Sequence, residues 1–221
     1  MNYHKIMGLV VVLSAMALMA VTASSASAIT KICSTAGSGT ACTSGHGSVY
    51  KGKIAAKNVG NVILSVTNSS NSVINTVTST SSEVEGEVTD GELGVGKITK
   101  MTFSGLSSSL CSSVTATTTA STANPWPSTV ATDGATETTN GIMTTEKVTG
   151  SFTCTFLGLP VTCKYFTSKA VTTIDGNDTE PKVTATGVGL EWEEGNQSVC
   201  GTHADWTGTY KVTTPSSLFI E

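Results

Sequence analysis

The chain contains no arginine: its twelve basic residues are all lysines, set against 16 Asp plus Glu. Without the guanidinium fork there is no bidentate grip on phosphate, and no lysine stripe replaces it, which argues against a nucleic-acid partner. Charged residues make up only 13% of the 221, and aromatics 5%. The small net charge of −4 and the regular return of Val, Ile, Leu and Phe exclude a disordered chain. No helical period of useful length is present, and no repeat at a fixed spacing, so bundles, solenoids and propellers are set aside. Beyond residue 28 no apolar stretch exceeds three residues, as at Val62-Ile63-Leu64, which is too short to cross a bilayer. Gly-x-Ser-x-Gly, the mark of a serine hydrolase elbow, is missing as well.

What the chain has in excess is hydroxyl: 67 residues are Ser or Thr. Thr suits a pleated face that is half wet, and the order of the sequence bears this out. Ala204, Trp206, Gly208, Tyr210 and Val212 alternate with Asp205, Thr207, Thr209, Lys211 and Thr213, which predicts a strand with one buried face anchored by Trp206 and Tyr210. About ten more short strands are predicted, among them 48–56, 61–67, 73–80, 83–89, 95–104, 114–121, 141–145, 148–156, 161–174 and 183–192. Asp90-Gly91, Asp133-Gly134, Asn140-Gly141 and Asp175-Gly176 supply turns between them. Roughly eleven strands at this spacing predict an all-β protein, a single antiparallel β-sandwich of the Greek-key or jelly-roll type.

Met1 to Ala28 has the three parts of an export signal: Lys5 near the start, an apolar run from Ile6 to Val21, and Ala26-Ser27-Ala28 at the exit. Cleavage before Ile29 is expected, leaving residues 29–221 as one domain with a formal charge of −5 once Lys5 is lost. No lipid-attachment cysteine follows the run, since Cys33 comes after Thr30-Lys31-Ile32. The expected destination is outside the cell or in its envelope, with no membrane association after cleavage.

Export makes disulfides the first reading of six cysteines. Cys154 and Cys163 are equidistant from the Gly158–Leu159 step, and Pro160 disfavours a two-residue turn, so a four-residue hairpin loop with Cys154–Cys163 bonded across it is expected. Cys33 and Cys42 flank Gly37-Ser38 in the same way. Elimination then pairs Cys111 with Cys200. A competing zinc site would combine Cys42 and His46 with Cys200 and His203.

Met101-Thr-Phe-Ser-Gly105 with a Cys shortly after, Pro125-Trp126, Cys163-Lys-Tyr165, Cys200 and the terminal Gly208-Thr-Tyr-Lys-Val-Thr-Thr-Pro215 resemble a group of secreted all-β proteins of soil actinobacteria. Members often carry a Cys directly after the Phe-Ser-Gly element, where this chain has Leu106. The resemblance implies export and a β fold, and it brings no active site.

Two acidic clusters and one tryptophan are the candidate functional residues. Glu83, Glu85 and Glu87 share one strand face, and Glu191 and Glu193 flank Trp192. Carboxylates facing each other across a cleft would serve a glycoside hydrolase, the alternative function. They sit among Thr, Gly and other Glu, however, without the apolar surround that keeps a catalytic acid protonated. Asp175-Gly-Asn-Asp178 has oxygen ligands but lacks the spacing of a helix-loop-helix calcium site. Trp126, between Pro125 and Pro127, is the candidate contact for a sugar ring. The expected function is that of a secreted, non-catalytic binding or surface module without a cofactor, whose partner is a cell-surface polysaccharide or a protein.

Overall fold

The computed structural model describes residues 30–43, 45–134 and 139–221; the export segment expected over 1–28 lies outside them. The described residues form twelve strands and one short helix: β1 (Ile32–Ser34), β2 (Ser48–Val49), β3 (Gly52–Thr67), β4 (Val73–Asp90), β5 (Val95–Ser108), β6 (Val114–Thr118), β7 (Trp126–Thr132), β8 (Gly141–Phe156), β9 (Leu159–Asp175), β10 (Lys182–Glu194), α1 (Gln197–Cys200), β11 (His203–Thr214) and β12 (Phe219–Ile220). All strand pairs are antiparallel, as expected.

The architecture is a barrel, which corrects the expected sandwich. From β3 the chain meanders through β4, β5, β7, β8, β9, β10 and β11, and β11 pairs back onto β3 from His203↔Thr67 to Thr214↔Ala55. That last ladder closes a ring of eight strand positions. The position between β5 and β8 is shared by two short strands, with β7 beside residues 141–145 of β8 and β6 beside residues 150–154. Alternation of apolar and polar residues means only that one face is buried. A sandwich satisfies it with a second sheet, and a barrel satisfies it with its own interior.

The strands are also longer than their sequence pattern indicates. The segments expected at 73–80 and 83–89 are one strand, β4, and those at 141–145 and 148–156 are one strand, β8. Irregular pairing interrupts the alternation at Lys57/Val62 and Glu85/Gly86, and Lys147 takes a left-handed conformation with φ 58°. Such bulges bend a long strand around a barrel while resetting which residues point inward. On β11 the expected faces hold: Ala204, Gly208, Tyr210 and Val212 are buried, Trp206 is partly buried, and Asp205, Thr207 and Thr213 are exposed.

Both ends of the barrel are covered. At the lower end β12, β1 and β2 form a small sheet that packs Ile32, Leu218 and Ile220 against the interior. At the upper end α1 crosses the opening with Val199 fully buried. Gly201, at φ 60°, turns the chain from α1 into β11 so tightly that a Cβ there would lie 2.2 Å from the Thr67 carbonyl oxygen.

Three disulfides are present, and two of them differ from expectation. Cys33–Cys42 forms as expected. The other four cysteines pair as Cys111–Cys154 and Cys163–Cys200, in place of Cys154–Cys163 and Cys111–Cys200. The cause is the β8–β9 turn. It is a two-residue turn at Leu157-Gly158, both residues having positive φ (50° and 82°), so Phe156 faces Leu159 and the register moves by two residues. Cys154 then faces Val161, and Cys163 faces Phe152. Pro160 lies within the strand opposite Thr155 rather than in the loop. Freed from each other, Cys154 anchors the start of β6 and Cys163 anchors α1.

Candidate functional site

The inward residues of the long strands do not fill the barrel. Two chambers lie along its axis, the lower of about 120 Å³ and the upper of about 90 Å³. Met101, Trp126, Val148 and Trp206 line both chambers and make the waist between them. Below the waist the wall includes Ile54, Ala56, Ile98, Ala170, Ile174 and Ala185. Above it stand Val62, Leu64, Phe103, Ala116, Phe152 and Leu190. Space exists because several inward positions hold alanine, and Ala170 and Ala185 are each only 1% exposed. An apolar cavity of about 150 Å³ can stay dry and accept a benzene-sized guest.

Polar groups inside are few, and most are satisfied. Ser128 and Thr145 hydroxyls bond each other at 3.1 Å, and Thr172 donates to the Met143 carbonyl at 3.4 Å. Tyr165 donates its hydroxyl to the Cys200 carbonyl at 2.5 Å, tying the upper wall to α1, and burial raises its pKa. The Tyr210 hydroxyl lies 3.2 Å from Ser82 Oγ. Burial pushes the Tyr210 phenol up to about 12, with Ser82 and Trp206 acting in the opposite direction. The Trp206 indole N–H is thus close enough to act on that phenol, yet it lacks the geometry of a hydrogen bond and is buried without a partner, as is that of Trp192. Of the charged residues bordering the lower chamber, Glu87 and Lys97 pair with each other at 3.2 Å with both side chains exposed to solvent. The chambers therefore offer apolar surface and hydroxyls, and no counter-charge for an ionic guest.

Trp126 is brought to this interior, which corrects its expected role as a platform for sugar. It is 3% exposed, and its indole N–H donates to Thr119 Oγ1 at 3.2 Å. It begins β7 and does not stand in a protruding loop, with Trp126 facing Ile98 and Pro127 facing Lys97 across the ladder.

The acidic clusters stay outside and apart. Glu83 pairs with Lys57 at 2.8 Å, and Glu85 pairs with Lys100 at 2.5 Å. The hydrogen bond from Lys57 holds the Glu83 carboxyl below its usual range. Glu191 meets His203 at 3.2 Å, while Glu193 and Glu194 reach Lys164. β4 and β10 are separated around the ring by β3 and β11, so the two clusters share no cleft. Ion pairs on the outside and apolar side chains within reverse the arrangement of a membrane barrel, which turns an apolar band outward. No helix among the described residues is long and apolar enough to cross a membrane.

The cysteine–histidine set is not assembled: Cys42 belongs to the lower end and Cys200 to the upper, each in a disulfide. Cys33, Cys42 and Glu221 lie together, but bonded sulfurs are not thiolate ligands. His46 instead stacks on Phe219 at 4.2 Å and meets the Glu221 carboxylate at 2.5 Å. The Thr43 N–H donates to the same carboxylate at 3.0 Å. Burial pushes the Glu221 carboxyl up, but the Thr43 and His46 contacts outweigh it and its pKa is lowered. In the loop after β9, Asn177 Oδ1 accepts from the Thr179 N–H at 2.9 Å, forming a polar turn. The two chambers escaped sequence reasoning; the signal available was alanine recurring at inward positions beside two tryptophans. Compared with protein-family models, curated proteins and solved structures, the chain matches none.

Proposed function

We propose that this protein is an exported, non-catalytic binding module whose ligand is a small neutral apolar molecule held inside the barrel. The observation that carries the reading is the lower chamber, an apolar cavity of about 120 Å³ walled by aliphatic and tryptophan side chains. An eight-stranded barrel has an interior that is either filled by its own side chains or just wide enough for one small ligand. Here alanines stand where filling side chains would be. Three disulfides suit an oxidising compartment and support the expected export. Burial of about six methylene-sized carbons, at about 0.8 kcal/mol each, sets a dissociation constant of roughly a few hundred micromolar as the best such a guest reaches.

The test is a titration with bromobenzene, read through its heavy-atom quenching of tryptophan emission, followed by displacement with benzene. Saturable quenching of tryptophan emission is the expected result, since Trp126 and Trp206 border both chambers. Ala170→Leu fills the lower chamber and should weaken binding at least tenfold in a folded protein. Binding left unchanged by both Ala170→Leu and Ala185→Leu would refute the interior site.

A further inference from the structure

One junction of the ring carries no ladder over half its length. The β9–β10 ladder is also interrupted, between Thr184↔Thr173 and Glu191↔Phe166, but it is paired on both sides of that break. β5 pairs with β7 only from Val95↔Thr129 to Ile98↔Trp126, and β6 pairs with β8 from Val114↔Cys154 to Thr118↔Gly150. No ladder joins β6 to the upper half of β5. The sequence supplies a cause, because Pro125 has no N–H with which to carry the β5–β7 ladder beyond Trp126. Across the gap the Thr118 hydroxyl donates to the Met101 carbonyl at 2.9 Å, a side-chain substitute for a ladder. On its other edge β6 is firmly held. There the β8 ladder is extended by the Thr119 N–H on the Thr149 carbonyl at 3.1 Å and by the Cys111–Cys154 disulfide.

The upper chamber reaches this seam from both sides. Met101, Phe103 and Leu106 of β5 and Ala116, Thr117 and Thr118 of β6 all line it. Other routes are obstructed. Leaving by the upper end means withdrawing Val199 and α1, which Cys163–Cys200 ties to β9. Leaving by the lower end means displacing the small sheet, pinned by Cys33–Cys42 and by His46 on Glu221.

We propose that the seam between β5 and β6 is the portal through which a small neutral apolar molecule reaches the chambers, with β6 swinging on its β8 ladder. The proposal rests on reading the interior as a binding site. Opening the seam separates Phe103 and Leu106 from Ala116 and breaks the Thr118 bond, whereas opening any other strand junction of the ring breaks at least four ladder pairs, the β9–β10 junction being held by three pairs on each side of its break.

Stopped-flow mixing with bromobenzene, followed by quenching of tryptophan emission, tests it. Taking the Thr118–Met101 bond as the register sets Thr117 opposite Thr102, and both are exposed. Thr102→Cys/Thr117→Cys, oxidised and verified by peptide mapping, locks the seam. Thr117→Cys/Ser151→Cys ties β6 to β8, where the hydroxyls of Thr117 and Ser151 already lie 2.9 Å apart. The seam lock should slow association and dissociation at least tenfold with the dissociation constant kept within twofold, and the β8 link should change neither rate. Thr118→Val, which needs no new cysteine, should raise both rates about threefold. Unchanged rates in the seam lock and in Thr118→Val, with the probe still bound, would overturn the portal alone. No probe binding by the unmodified protein would overturn the interior site and the portal with it.

Discussion

At the scale of the residue, burial reassigns the tryptophans and tyrosines. Trp126 is the most enclosed of the three tryptophans and holds the waist with a hydrogen-bonded indole, whereas Trp206 is partly exposed. Trp126→Ala should therefore destabilise the protein by about 3–5 kcal/mol, and by more than Trp206→Ala, as denaturant melts would show. The sequence made Trp206 legible as an inward residue through strict alternation along β11. It concealed Trp126, because a Pro-Trp-Pro run reads as a loop when the ladder that accommodates it is formed by a distant strand. Tyr210 yields a prediction in pH. Its phenol titrates near 12 in the folded protein, above the ordinary value of 10. Between those values the folded chain holds a proton that the unfolded chain has lost, so its contribution is full below pH 10 and declines up to pH 12. Tyr210→Phe should flatten part of that alkaline decline in melts taken from pH 9 to 12.

At the scale of the element, the ends of the barrel depend on covalent and ionic ties. Cys111–Cys154 and Cys163–Cys200 span 43 and 37 residues of sequence, and the chain-entropy view credits each with roughly 4 kcal/mol. Replacing Cys163 and Cys200 together by Ser should lower the midpoint of thermal unfolding and speed hydrogen exchange in α1 and the adjoining end of β9. Exchange at the lower end should stay unchanged. That pairing was not legible because a one-step choice of turn geometry at Leu157-Gly158 redirects two cysteines, and Pro160 pointed to the longer loop. The lower end should respond to acid. Glu221 has a lowered pKa, so its contribution is present above the ordinary carboxyl value and is lost as pH falls through the depressed one. Proteolysis of the segment 30–50 should accelerate in that acid range, and Glu221→Gln should show the faster cleavage already at neutral pH.

At the scale of the whole molecule, strand content was legible, while closure was not. Closure depends on pairing β3 with β11, segments whose partners, such as Thr67 and His203, stand 136 residues apart. No local pattern encodes such a contact, and the bulges that allow long strands to curve also disguise them as separate short ones. The same closure leaves the acidic clusters on separate outer walls, with β3 and β11 between them, and turns attention from the surface to the interior. Crystals soaked with bromobenzene test the interior directly through the anomalous signal of bromine. The account predicts a bromine peak inside the barrel, between the waist tryptophans and Ala170 and Ala185. Bromine found only on the outer surface, with the chambers unchanged, would contradict it.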